Sequence, residues 1–392
     1  MITRETSPIP ASRVTAISSS ATKRMAQLAA QAPGCVSLGQ GVPSFTPPEQ
    51  VTEAIIHMLQ HNRACHRYTL QNGLPELRHR LADHLYLEKG IKLNPETEIC
   101  ITVGGMEGLL TSILSIAQPG DEIILPCPTY ASYIEQVTLS GATPVFVPFD
   151  ANWQLDMQAM RAALSRRTKA IILCSPGNPT GNILKNADIE ILCEIATENN
   201  ITLLLDEAYD YITYEKEQTT HPLSCEKYRH NVITIGSFSK KYCLTGWRIG
   251  WVAADSQWME QITKVHDATT ICAPAMSQYA ALTALDVDSK WVEQCCKELE
   301  HRRALCCARL DELGDFFSYV PPQGAFYVMA KYRFTDEPAE QVATSIINEA
   351  RVITIPGDSF GPGGQGHLRL SFGGEREEID QAFARLKKWL KR

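Results

Sequence analysis

The chain has 392 residues, 44% of them hydrophobic, which is more than one core usually serves and enough apolar material for two units. Its formal net charge of -7 lacks the basic surplus that binding a phosphate backbone requires, so nucleic acid is not an expected partner. No apolar stretch reaches the roughly 20 residues that span a bilayer, and Met1 to Pro10 has no hydrophobic signal core, so a soluble cytoplasmic protein without a membrane partner is expected.

Two segments near the amino terminus, 48 to 60 and 74 to 89, carry helical periodicity. From about residue 98 to 253, short apolar runs alternate with amphipathic segments. Ile99 to Val103, Glu122 to Leu125, Thr143 to Val147, Ala170 to Cys174, Ile201 to Leu205 and Val232 to Ile235 read as strands, with helices such as Met106 to Ala117 and Ala187 to Glu198 between many of them. That alternation predicts an α/β fold with a mostly parallel sheet flanked by helices, and it places ligands at the carboxyl ends of the strands. Further on, Lys290 to Gly314 predicts a long charged helix, Ala325 to Met329 a strand and Glu377 to Leu390 a closing helix.

These outer segments read as a smaller α+β unit built from both chain ends. The division expected is 1–47 as an amino-terminal arm and the start of the small domain, 48–285 as the large domain, and 286–392 as the small carboxyl-terminal domain. Pattern nevertheless groups the two early helices with the smaller unit. The 13 cysteines are odd in number, contain no Cys-x-x-Cys and include the adjacent pairs Cys295-Cys296 and Cys306-Cys307. They read as reduced thiols, and no metal is expected.

Five segments carry chemistry. Gly104-Gly105-Met106 follows a strand and opens a helix, a junction that presents free backbone N–H groups to a phosphate. Ser175-Pro-Gly-Asn178-Pro-Thr-Gly181 is dense in turn residues and two prolines hold it, so Asn178 is placed either to hydrogen-bond a ligand or simply within a reverse turn. Asp206 closes a strand and Tyr209 follows; the carboxylate suits a pyridinium nitrogen, or caps the next helix. In Ser237-Phe-Ser239-Lys240-Lys241, with Arg248 after it, an amine stands beside two hydroxyls and a guanidinium, although Ser-x-Ser-Lys runs are more often solvated loops. Arg369 sits in an alternating strand, suited to bidentate carboxylate capture or to a solvent-facing position.

A lysine beside phosphate ligands at a strand end suits a cofactor that carries both an aldehyde and a phosphate, pyridoxal 5'-phosphate.

Together these motifs resemble the class I and II aminotransferases of the aspartate aminotransferase superfamily, pyridoxal-phosphate enzymes of fold type I. The resemblance runs from about Val36 to the carboxyl terminus, and its most specific part is Ser237-x-Ser239-Lys240 followed by Thr245-Gly-Trp-Arg248-x-Gly250. It implies that Lys240 carries the cofactor and shuttles the proton, with Lys241 a bystander. Asp206 and Tyr209 would tune the ring, Tyr130 would stack on it, and Asn178 would contact its phenolic oxygen. Ser237, Ser239, Arg248 and the amides of Gly105 and Met106 would hold the phosphate, and Arg369, Asn178 and the backbone of Gly41 the substrate carboxylate. Tyr68 matches a tyrosine that reaches the neighbouring subunit's phosphate, which implies a homodimer with shared active sites.

The activity implied is ping-pong transfer of an amino group between an L-amino acid and a 2-oxo acid. Substrate signals divide: Ser20 matches an aspartate-using branch whose Gly-Gly turn is followed by lysine, where this chain has Met106. Leu38-Gly-Gln-Gly41-Val42-Pro-Ser-Phe45 resembles kynurenine and glutamine transaminases except at Val42. The alternatives are β-elimination at a C–S bond on the same fold and a non-catalytic pyridoxal-phosphate-binding regulatory module. Residues 1 to 35 are neither long nor basic enough for the helix-turn-helix that the latter needs.

Overall fold

A computed structural model describes residues 9–18, 20–214 and 220–392. Two two-residue strands, β1 (Val36–Ser37) and β11 (Val352–Ile353), pair in parallel and tie the amino-terminal segment to the carboxyl-terminal part of the chain. The main sheet has seven strands: β2 (Ile99–Thr102), β3 (Glu122–Cys127), β4 (Thr143–Pro148), β5 (Thr168–Cys174), β6 (Thr202–Asp206), β7 (Val232–Ser237) and β8 (Gly250–Ala254). Their order is β2-β8-β7-β6-β5-β3-β4, and every neighbouring pair is parallel except the two made by β8.

The near-continuous burial of β2, β3, β5, β6, β7 and β8 follows from helices on both faces. Alternate residues feed two cores. Ile101, Ile171, Leu203 and Trp251 point into one with Leu81 and Leu192, whereas Ile123, Ile172, Leu204 and Val252 point into the other with Leu109 and Ile262.

The early helices Glu49–His61 and Pro75–Lys89 bury Val51, Ile55, Leu77, Leu81 and Leu85 in the first of these cores, so grouping them with the smaller unit was incorrect. Periodicity marks a buried face without naming what covers it. A third core unites Met25 and Leu38 with Leu299, Leu310, Phe317, Val328, Leu370 and Phe383, joining both ends of the chain. It surrounds a four-stranded antiparallel sheet of β9 (Phe317–Tyr319), β10 (Tyr327–Tyr332), β12 (Ile355–Pro356) and β13 (His367–Ser371), in the order β12-β13-β10-β9. The helices Ser289–Asp311 and Arg376–Leu390 contribute to this core, the second opening with a capping box between Glu375 and Glu378.

Strand β10 begins two residues later than expected, because Ala325 takes φ +52° and donates its N–H to Ile212 O before the strand starts. Strand β8, absent from the sequence reading, decides the site geometry. Being antiparallel to both neighbours, it puts its amino end at the edge where β2 and β7 put their carboxyl ends. Among the described residues no helix is long and apolar enough to cross a membrane.

Candidate active site

The carboxyl edge of the main sheet brings together most of the residues singled out above. Asp206 ends β6, in register with Cys174 of β5 and Ile235 of β7. No helix follows to be capped. Asp206 Oδ1 instead accepts the Ala208 N–H at 3.0 Å, and Oδ2 accepts the Tyr133 hydroxyl at 2.7 Å. Burial pushes the Asp206 pKa up while these two bonds pull it down. Among the described residues no cation pairs with this carboxylate, which leaves a half-buried carboxylate suited to a protonated ring nitrogen.

An anion cradle forms where β2, β7 and β8 meet. Gly104, at φ +73°, turns β2 into the helix Gly104–Ile116, whose amino end has no side-chain cap. That left-handed φ favours glycine, and a Cβ there would also push on the Arg248 guanidinium, 2.6 Å away at Nη2. Arg248 just precedes β8 at φ +51°, and its Nη1 donates to Thr245 O at 3.0 Å. Ser237 Oγ accepts the Ser239 N–H at 3.1 Å, and Gly105 faces the Ser237 side chain. An uncapped helix end, a hydroxyl and a guanidinium without a carboxylate partner among the described residues make an anion site.

Lys240 stands on the four-residue helix Phe238–Lys241, and its Nζ donates to Gly41 O at 2.5 Å. Burial, with the like charges of Arg248 and Arg369, lowers its pKa to about 8. Lys241 is committed elsewhere: its Nζ donates to both Glu88 carboxylate oxygens at 2.8 Å. Lys240 combines an amine that no carboxylate holds among the described residues with a depressed pKa, the property a carbonyl-condensing lysine needs.

Arg369 is not solvent-facing. It is 3% exposed, in register between Met329 of β10 and Ile355 of β12. Its Nη1 donates to Asn178 Oδ1 at 3.1 Å and its Nη2 to Gly39 O at 2.7 Å, while the guanidinium lies 4.6 Å from the Tyr327 ring centre and 5.2 Å from that of Phe360. Nε is buried without a partner, an unsatisfied donor of the kind a carboxylate ligand would satisfy. Asn178 is itself buried, and the Ser175-Pro176 and Asn178-Pro179 peptide bonds are both cis.

Tyr209 is buried, with its hydroxyl 2.9 Å from that of Tyr327. Tyr130 caps the helix Ala131–Ser140 and meets Tyr133 edge-on at 5.5 Å. Met106 is half-buried; its carbonyl accepts the Gln136 amide at 2.9 Å. The Gly41 carbonyl accepts from Lys240 Nζ, and Gly39 supplies the carbonyl that holds Arg369. Tyr68 is 78% exposed, and among the described residues no hydrogen bond or ring contact joins it to the cluster. Ser20 precedes the helix Ala21–Ala30 without a side-chain capping bond.

Tyr133 and Tyr327 escaped the sequence reading. The available signal was a buried phenol, whose hydroxyl needs a partner.

A half-buried acid and an arginine Nε that lack partners among the described residues, an anion cradle and a weakly basic lysine fit pyridoxal phosphate and an amino-acid carboxylate. Comparison with known proteins agrees. The model of the family "Aminotransferase class I and II" matches residues 33–386. The chain is 32% identical to an aspartate aminotransferase of Pyrococcus abyssi and 32% identical to aromatic-amino-acid aminotransferase 2 of Thermococcus litoralis, in each case over 97% of both chains. A crystallised single mutant of Thermus thermophilus aspartate aminotransferase superposes with a TM-score of 0.91 at 31% identity, covering 97% of this chain and 100% of that one. The chain belongs to the class I and II aminotransferases, a family of pyridoxal 5'-phosphate-dependent enzymes.

Proposed function

We propose that this enzyme moves an amino group between an L-amino acid and a 2-oxo acid in two half-reactions, with aspartate/glutamate-linked or broad, aromatic specificity. The observation that carries the reading is the contrast between the two adjacent lysines, Lys240 turned inward with a pKa near 8 and Lys241 paired with Glu88. When bound, pyridoxal phosphate supplies a carbonyl and an electron-withdrawing ring.

The chain supplies the rest. Arg369, held by Asn178 and Gly39, binds the α-carboxylate. Lys240, released from Gly41, would take the Cα proton as a general base and return it as a general acid at the cofactor's carbonyl carbon, two atoms along. Asp206 would keep a ring nitrogen cationic, and Tyr209 would donate to the ring's phenolic oxygen. Ser237, Ser239, Arg248, Gly105 and Met106 would hold the phosphate, and Tyr130 would stack on the ring.

The division at residues 48 and 286 would put the cofactor groups on the large domain and Arg369 on the small one. An exposed Tyr68 suits a second copy of the chain whose phosphate it reaches, and thirteen unpaired cysteines suit the reducing cytoplasm.

Single-turnover spectra of the pyridoxal-phosphate form, taken with aspartate, glutamate, phenylalanine, tyrosine, methionine, alanine and kynurenine, test the proposal. Conversion to the pyridoxamine form with release of the matching 2-oxo acid is expected, and Lys240→Ala should abolish it. Pyruvate and ammonia from cystathionine without any oxo-acid acceptor would instead indicate C–S elimination.

A further inference from the structure

Tyr327 belongs to β10 of the small sheet, is 1% exposed, and touches three parts of the site at once. Its hydroxyl is 2.9 Å from that of Tyr209, and its ring lies under the Arg369 guanidinium at 4.6 Å. The same hydroxyl presses on the chain that holds Lys240, for a Cβ on Gly41 would sit 2.6 Å from Tyr327 Oη.

Proton accounting gives this contact a direction. Each phenol owns one hydrogen, so a Tyr209 that donates to a ring oxygen has none left for Tyr327, and the bond between the two phenols then requires Tyr327 as donor. The surroundings agree. The Arg369 cation faces Tyr327, whereas Tyr209 is faced by Tyr327, Cys174 and Tyr130; the pKa of Tyr327 rises to about 12, and that of Tyr209 is driven well above the usual range by burial. The more acidic phenol is the better donor.

We propose that Tyr327 is a positioning residue that donates its hydroxyl hydrogen to Tyr209 and so turns the Tyr209 hydrogen toward the cofactor's phenolic oxygen. The inference rests on the cofactor-binding reading given above, in which Tyr209 faces that oxygen. Two donors in series strengthen each other, so Tyr327 acts on the cofactor without touching it. Because its ring also supports Arg369, the residue links the carboxylate-binding arginine to the ring-binding tyrosine.

The test is Tyr327→Phe in the holoenzyme, which removes the hydroxyl and keeps the ring under Arg369. Weakening the donor to an anionic ring oxygen should raise the pH midpoint of the visible absorbance change by about half a unit, and should weaken pyridoxal-phosphate binding to the apoenzyme about fivefold, the weight of one hydrogen bond. KM for the amino acid should move less than about twofold, since the ring stack remains. In a Tyr209→Phe background the same substitution should add nothing, an outcome that a merely structural role would not produce. Gly41→Ala displaces the Tyr327 hydroxyl without removing it and should shift the midpoint the same way, so the test survives if Tyr327→Phe folds poorly. An unchanged midpoint, or an equal shift with and without Tyr209, overturns the inference. Failure of the underlying reading looks different: wild-type protein would then gain no visible band with pyridoxal phosphate, or Lys240→Ala would keep it.

Discussion

Tyr133 and Asp206 are joined by a 2.7 Å hydrogen bond between a phenol that is 1% exposed and the carboxylate at the end of β6. Tyr133→Phe leaves Oδ2 of that half-buried acid without its donor, destabilises the charged form and weakens its pull on a cationic ring. Hydrogen bonds to charged groups contribute about 1.5–3 kcal/mol, so affinity for pyridoxal phosphate should fall about tenfold or more. Titration of the apoenzyme followed by absorbance measures it; an unchanged affinity would remove Tyr133 from the site.

Lys240 gives the apoenzyme a pH signature. Its folded pKa of about 8 lies below the 10.5 of a freely solvated lysine, so burying the charged amine costs stability in full below pH 8. The cost is relieved as pH rises from about 8 to 10.5, where the unfolded chain binds more protons than the folded one. Lys240→Met removes the penalty. The apoenzyme variant should therefore be more stable than wild type at pH 7, with the gap narrowing by at most about 3 kcal/mol up to pH 10.5. Denaturant melts across that range check it, and a pH-independent gap would contradict it.

Arg369 presents a planar fork that lysine cannot reproduce, the basis of its proposed role in holding the substrate carboxylate. Arg369→Lys should raise KM for the amino acid about a hundredfold and leave cofactor affinity within about twofold of wild type, since Arg369 contacts Asn178 and Gly39 and not the anion cradle. Steady-state kinetics beside a cofactor titration separate the two effects. Equal losses in both would show that Arg369 supports the fold of the whole site.

Lys89 satisfies two carboxylates behind the site, with Nζ 2.6 Å from both Glu207 and Asp210, and Glu207 also accepts from or pairs with His221 at 2.9 Å. Lys89→Met leaves two acids in a half-buried setting without their cation and should destabilise the protein by about 3 kcal/mol. Glu207 adjoins Asp206, so cofactor affinity should fall as well. Replacing Lys89 and Glu207 together by apolar residues should recover part of the stability, as read from urea melts.

Six strands of the main sheet were legible: β2, β3, β5, β6 and β7 are buried on both faces and show as apolar runs, while the half-buried edge strand β4 shows by its Val-Phe-Val segment. Strand β8 was not, since Gly250-Trp-Val-Ala-Ala begins with glycine and lacks a branched run, and it follows directly on a motif already read as a loop. Lys240, Asp206, Asn178 and the Gly104-Gly105 turn were legible because each sits where a strand ends. The burial of Arg369 was not, because alternation separates two faces without saying which one is covered. Tyr133 and Tyr327 act through partners 73 and 118 residues away in the chain, a separation that no local pattern encodes.

The reversed strand β8 has a consequence for biosynthesis. β2 is synthesised first among the seven strands, yet its one neighbour in the sheet is β8, the last. A chain leaving the ribosome therefore carries the Gly104-Gly105 turn as an unattached edge until Ala254 has emerged, and Arg248 can only then close over it. With the phosphate role proposed above for Gly105 and Arg248, a fragment that stops before β8 should bind the cofactor more weakly than the full chain, because the two halves of the anion cradle are not yet joined through the sheet.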